Sequence, residues 1–396
     1  MPHDTVPPMN FSGPERLRLE RRQPPIVVRP TYAHVDAAAL AHNLAVVRQR
    51  VGPRTRVLAV VKADGYGHGA TWAARALCEA GAWGLAVSLV EEGVELRQAG
   101  IDAPVLVLGG VVPGSEDVIV HRSLTPVVWA REHLQRLSAA VRRSGAPPAP
   151  IHVKIDTGMS RLGLLPAELG ALLDWFEGDD GHLLRLEGVM THLACADEPD
   201  DPVSPAQLEI FREALGTLAA RGIHPQLRHV CNSAGIVRLP QGHFDMVRPG
   251  IALYGAASSP AVAIEELVMA MSVHSQILGI RELPAGTRVS YGHREELRRP
   301  SRLGIVPVGY ADGYPRRMSG RAQVLIRGHR CRVVGNITMD VSMVDVTDLP
   351  DVRVGERVTL LGRQGREELS LYELAAWADV IPYEIMCGIS KRVPRR

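Results

Sequence analysis

Residues 57–88 read VLAVVKADGYGHGATWAARALCEAGAWGLAVS, and they hold one full period of the chain's organisation. Val57–Val61 is a short β-branched apolar run, the pattern of a strand buried on both faces. Ala70–Ala80 places apolar residues at helical spacing, and Gly84–Ser88 returns to a second apolar run. A strand, a helix and a strand within about thirty residues make the βαβ unit of a parallel sheet. Lys62 sits where the first run ends, the position at which such units carry chemistry.

Outward from this unit the rhythm continues to Gly250. Further strands are predicted at Val105–Leu108, Thr125–Val128, Ile151–Ile155, Leu186–Met190, Leu227–Val230 and Phe244–Val247. Helical patterns fall at Val90–Ala99, Arg131–Arg142 and Pro205–Arg221. Eight strands in about 195 residues predict an α/β fold, a (β/α)8 barrel of the TIM type. A doubly wound open sheet is the competing arrangement, and the lack of a G-x-G-x-x-G turn after the first strand weighs against it. Upstream, Asp36 is placed to cap a helix over Ala37–Arg48.

After about residue 265 the texture changes. Short runs at Ser272–Ile280, Arg302–Val308, Ala322–Ile326, Cys331–Val334, Val341–Val346 and Arg357–Leu361 are separated by Gly and Pro turns, with one helix near Leu371–Ala378. The expected plan is a flexible tail over residues 1–30, a barrel over 31–265 and a mostly β C-terminal domain over 266–396.

Composition narrows the function classes. A net charge of +2 gives no reason to expect a nucleic-acid partner, and no apolar run is long enough to span a membrane. The five cysteines are odd in number, widely spaced and without a C-x-x-C, which points to a reducing, cytoplasmic setting and away from a zinc site. Of the 45 lysines and arginines only Lys62, Lys154 and Lys391 are lysine. Arginine cannot serve as a neutral amine near pH 7, so these few positions are where amine chemistry is sought first.

In a βα barrel the site gathers at the C-terminal ends of the strands. Those positions hold Lys62 after strand one, Lys154 to Arg161 across the end of strand five, His192 after strand six, Asn232 and Ser233 after strand seven, and Arg248 after strand eight. Each alone could be a hydrogen-bonded rim residue; their convergence is what points to a site. Phosphate in such barrels is held between the loops after strands seven and eight. Here Gly250 and Ile251 would offer backbone N–H groups and Ser233 a hydroxyl, unless the segment is only a capped helix after a proline turn. A phosphate site beside a strand-end amine suggests a phosphorylated aldehyde held as a Schiff base.

At this point the sequence resembles a known family. Val61-Lys62-Ala63-Asp64-Gly65-Tyr66-Gly67-His68-Gly69 is similar to the cofactor-lysine signature of the alanine racemases. The resemblance continues through Lys154-Ile155-Asp156-Thr157-Gly158-Met159-Ser160-Arg161, Thr191-His192, Arg248-Pro249-Gly250 and Ser290-Tyr291-Gly292. Val308-Gly309-Tyr310, Thr338-Met339-Asp340 and Pro382-Tyr383-Glu384 complete it.

The resemblance implies pyridoxal 5′-phosphate joined to Lys62, with Lys62 and Tyr291 as the two proton carriers of an amino-acid racemase. It implies that His192 and Arg248 form a relay behind Tyr291, with Arg248 facing the pyridine nitrogen. Tyr66, Asn232, Ser233, Gly250, Ile251 and Tyr383 would surround the phosphate. Arg161 would bond the pyridine 3′-oxygen or the substrate carboxylate, the Met339 N–H would hold that carboxylate too, and Tyr310 would narrow the entrance. Lys154 matches a position often N-carboxylated, although a plain strand lysine also fits. The implied assembly is a homodimer with shared sites, and the implied product is D-alanine for peptidoglycan. His293-Arg294-Glu295 and Thr338 depart from the family's usual residues, so specificity for serine or a wider substrate set stays open. A cofactor carrier built on the barrel alone, or a decarboxylase with the same two-domain plan, would be a different class.

Overall fold

The computed structural model describes residues 28–198 and 200–396; most of the tail expected over residues 1–30 lies outside them. The described residues open with β1 (Tyr32–Val35) and a helix at Ala37–Val51, whose Asp36 cap accepts the N–H groups of Ala38 and Ala39. The barrel strands follow as β2 (Arg56–Val60), β3 (Gly84–Val87), β4 (Val105–Val107), β5 (Thr125–Val128), β6 (Ala149–Lys154), β7 (Leu184–Met190), β8 (Leu227–His229) and β9 (Met246–Val247). All eight run parallel in the order β8-β7-β6-β5-β4-β3-β2-β9. The ring is drawn together by Asp245 N–H to Arg228 O at 3.2 Å and Arg248 N–H to Cys231 O at 2.9 Å. The expected barrel is therefore present, nearly closed, and every strand lies within two residues of its predicted place.

The strands carry the centre of the barrel's core. Leu58, Ala59, Leu85, Val87, Val105, Val127, Val153 and Val189 are fully enclosed or within 1% of it. β3 and β4 are wholly apolar, whereas β6, β7 and β8 carry His152, Glu187 and His229 within them; the rim groups Lys62, His192, Ser233 and Arg248 enter where strands stop. That arrangement concentrates the chain's chemistry on one rim.

The second unit is an antiparallel sheet of nine strands. Ser272–Ile280, read as one run, is two strands. Met271–Gln276 pairs with β1 and Arg357–Gln364, and Gly279–Leu283 pairs with Ser301–Val306. The chain changes partners at Ile277 and Leu278, a change that an apolar pattern does not record. Because β1 belongs to this sheet by its pairing, the segment that precedes the barrel is shared with the second unit. Helices Leu371–Ala378 and Pro382–Gly388 then return the chain to the barrel rim, where Gly67 lies against Met386: a Cβ on Gly67 would sit 2.1 Å from the Met386 carbonyl oxygen.

Candidate active site

The ends of β2, β3, β6, β7, β8 and β9 deliver polar groups to a common cavity of about 630 Å³. Its lining holds Lys62, Tyr66, Lys154, Arg161, His192, Asn232, Ser233, Arg248, Gly250, Ile251 and Tyr383. The structure therefore brings together eleven of the fourteen expected site residues. Four of them are cationic, and no aspartate or glutamate is among the lining residues. A concave surface of that charge is built for anions.

Arg248 is the most enclosed of the four. Its guanidinium donates to the carbonyls of Thr191, His229 and Val230 at 2.8–2.9 Å, to His229 Nδ1 at 2.9 Å and to His192 Nδ1 at 3.3 Å. Burial draws its pKa down to about 10, which leaves it charged at neutral pH. Its donors also settle the histidine tautomers. His229 Nδ1 accepts, so the proton sits on Nε2 and is given to His152 Nδ1 at 2.8 Å. His152 then donates from Nε2 to Glu187 at 3.3 Å. Burial, and next the Arg248 charge, holds His192 and His229 well below the ordinary histidine range.

The lysines are tuned by the same crowding. Burial first, then the Arg161 guanidinium, lowers the pKa of Lys62. Lys154 is brought down to about 8 by burial, Arg248 and Arg161. The loop that carries Arg161 is folded on Asp156, whose Oδ1 accepts from Gly158, Met159 and Ser160 at 2.9–3.0 Å.

The same lining holds Ser233, Gly250, Tyr66 and Tyr383. Ser233 Oγ accepts from Gly250 N–H at 2.9 Å and from Ala252 N–H at 3.3 Å, which leaves the hydroxyl proton to donate. A Cβ on Gly250 would stand 2.3 Å from the Tyr66 hydroxyl, so only glycine admits the phenol there. Tyr383 packs on Tyr66 with ring centroids 5.9 Å apart. The expectation for Gly250 is refined, since its N–H is already spent on Ser233. Asn232 likewise uses its side chain to cap the helix Ser233–Arg238. Hydroxyl donors, a glycine-walled notch and surrounding cations fit a phosphorylated anionic cofactor.

Tyr291, Tyr310 and Met339 are not in this lining. They lie on the second unit, 72%, 43% and 52% exposed. Tyr291 is nonetheless held in place. It stands among Ser290, Gly292 and His293, all at positive φ, and its carbonyl accepts from Asn336 Nδ2 at 2.6 Å.

The comparisons with known proteins agree with this geometry. Residues 35–258 match the alanine racemase N-terminal domain, and residues 270–396 match the alanine racemase C-terminal domain. This chain belongs to the alanine racemase family. An alanine racemase of Symbiobacterium thermophilum is 49% identical over 93% of this chain and 97% of its own length. The alanine racemase from D-cycloserine-producing Streptomyces lavendulae superposes with a TM-score of 0.89 at 37% identity, covering 93% of this chain and 97% of that one. A Bartonella henselae alanine racemase with covalently bound pyridoxal phosphate gives 0.82 at 30% identity, over 93% and 99% of the two chains.

Reading the sequence alone missed the groups behind the alanine racemase cavity. His152 and His229 stand in apolar strands, where a histidine resembles any enclosed polar residue. Gln207, from the helix Val203–Ala220, braces the rim through Thr157, the His192 carbonyl and Ala194 N–H. Nothing in its local pattern marks it out.

Proposed function

We propose that this chain interconverts L-alanine and D-alanine with pyridoxal 5′-phosphate, supplying D-alanine for peptidoglycan, and that it does so in the cytoplasm as a homodimer with shared sites. The observation that carries the reading is a strand-end lysine in an anion-binding cavity, with a rigidly mounted tyrosine displayed on the outside of the other unit. All five cysteines are free, in keeping with a reducing compartment, and no helix among the described residues is long and apolar enough to cross a membrane.

Inversion requires that a proton leave one face of the α-carbon and return to the other. Pyridoxal phosphate, when bound, supplies a ring that withdraws electrons and loosens that proton. Lys62, its amine destabilised as a cation, takes or returns the proton on one face. Tyr291 of a second copy serves the opposite face. His192 is neutral and carries its proton on Nε2, because Nδ1 accepts from Arg248; it can therefore donate to a phenolate. In this reading Arg248 would stand against the ring nitrogen, and a guanidinium, a donor only, could not accept a hydrogen bond from that nitrogen in its protonated form.

In this reading Tyr66, Ser233, Ile251 and Tyr383 hold the phosphate, while Gly250 N–H and the Asn232 side chain, already engaged with Ser233 and with Gly235 N–H, shape the notch around it. Arg161 and Met339 N–H hold the carboxylate, and Tyr310 narrows the way in. Lys154, its pKa lowered to about 8, has a neutral fraction that adds CO₂ with release of a proton, and the resulting carbamate anion orients Arg161. The test is to follow L-alanine by circular dichroism in deuterium oxide with the cofactor-loaded protein. The signal should decay to zero as deuterium enters the α-carbon; loss of CO₂, or decay without deuterium, would refute the assignment.

A further inference from the structure

Directly after Lys62 the backbone enters a conformation that L-residues seldom hold. Ala63, Asp64, Gly65 and Tyr66 have φ of 54°, 53°, 60° and 52°. With Gly67 they form a turn of left-handed helix, closed by Gly65 N–H to Val61 O at 2.9 Å and Gly67 N–H to Ala63 O at 3.0 Å. Each non-glycine residue there costs about 1–2 kcal/mol, so three of them must be secured from outside the turn.

Most of the fastenings lie on the side away from Lys62. Asp64 Oδ1 accepts from Ala70 N–H at 2.7 Å, His68 Nδ1 meets the carbonyls of Gly65 and Tyr66 at 3.0 Å, and Arg395 donates to Gly67 O at 2.8 Å. On the near side the partner comes from the next βα unit. Glu92 Oε1 accepts Ala63 N–H at 2.6 Å. Its Oε2 accepts Ser88 N–H at 2.7 Å and Leu89 N–H at 3.0 Å. One carboxylate thus ties the loop after β2 to the loop after β3.

We infer that Glu92 is a positioning residue for Lys62: its Oε1, with Oε2 anchored on the loop after β3, holds the left-handed turn that aims the Lys62 amine and the Tyr66 phenol into the cavity. The inference rests on the reading of Lys62 as the amine that takes the cofactor. The bond to Leu89 is an ordinary helix-capping contact for Val90–Gln98. The bond to Ala63, 29 positions away, serves no cap. Glu92 also sets its negative charge against the burial and the Arg161 charge that destabilise the Lys62 cation.

The experiment mixes the full-length chain with pyridoxal phosphate, traps the product with borohydride across a range of pH and maps the labelled peptide. In E92Q a single amide oxygen can serve Ala63 or the Ser88–Leu89 pair, not both. The plateau trapping rate on Lys62 should fall about tenfold, and its pH midpoint should move down because the carboxylate is gone. E92D keeps the charge and loses the reach, so its midpoint should return while its plateau stays low. E92D alone carries the test if E92Q does not fold, and E91Q should match wild type. Wild-type midpoint and plateau in both variants, with only thermal stability lowered, would reduce Glu92 to a helix cap. Trapping at another lysine in the wild-type chain would instead remove the reading of Lys62 on which the inference stands.

Discussion

The two units of this chain treat their functional groups in opposite ways. The barrel turns Lys62, Lys154, His192 and Arg248 inward, where burial and mutual repulsion set their protonation. The β unit turns Tyr291, Tyr310 and Met339 outward on a strained turn and two loops. The inward groups meet in one cavity, whereas the outward groups stand apart from its lining. The contrast teaches that the expected site residues fall into two sets, one gathered in the barrel cavity and one displayed on the β unit, which is the division that the proposed sharing between two copies requires.

The strongest way to break that picture is complementation. Lys62→Ala and Tyr291→Phe should each lower racemisation about a thousandfold. Mixed and reassembled, they should recover about one quarter of wild-type activity, because half of the pairs are hybrids and each hybrid regains one intact site. No recovery on mixing would place both carriers in one chain.

A smaller effect sharpens the division of labour. Ser233→Ala should weaken cofactor affinity about tenfold with turnover at saturating cofactor nearly unchanged, read by fluorescence titration. Asn336→Ala, which frees the Tyr291 turn, should do the reverse and lower turnover about tenfold at unchanged cofactor affinity. Equal behaviour of the two variants would erase the distinction between the units.

The smallest effect is on stability and falls on both units alike. His68 in the barrel and His274 in the β sheet are each pushed by burial to about 4. Both are neutral when folded, whereas the unfolded chain protonates them from about pH 6.5 downward. The unfolded state therefore binds more protons in that window, and stability must fall as pH drops from about 6.5 toward 4. Thermal melts at pH 7.5, 6 and 5 should show a progressive decline, and a flat profile would contradict the burial of these rings.

How much of this could be read from the sequence follows from what each signal depends on. Apolar runs such as Val57–Val61 are legible because burial on both faces admits few other residues. Leu371–Ala378 is legible because Ser370 and Glu373 form a capping box at its start. The rim residues were found by asking what stands at each strand end. The left-handed turn was not legible, since KADGY has no periodicity and its conformation is imposed by Glu92 and other residues remote in sequence. Glu92 itself hides beside Glu91, where a carboxylate usually faces water. The outward placement of Tyr291 was equally silent, because exposure is a property of the assembled surface.

One feature of Arg248 bears on how this enzyme can change over time. Three of its five anchoring atoms are peptide carbonyls, which every amino acid supplies. Substitutions at Thr191 and Val230 that respect the strand ends leave those oxygens where they are. The charge at the centre of the pocket is thereby insured against drift in its neighbours. Evolution can reshape the walls, and with them the choice of amino acid, without first rebuilding the electrostatics.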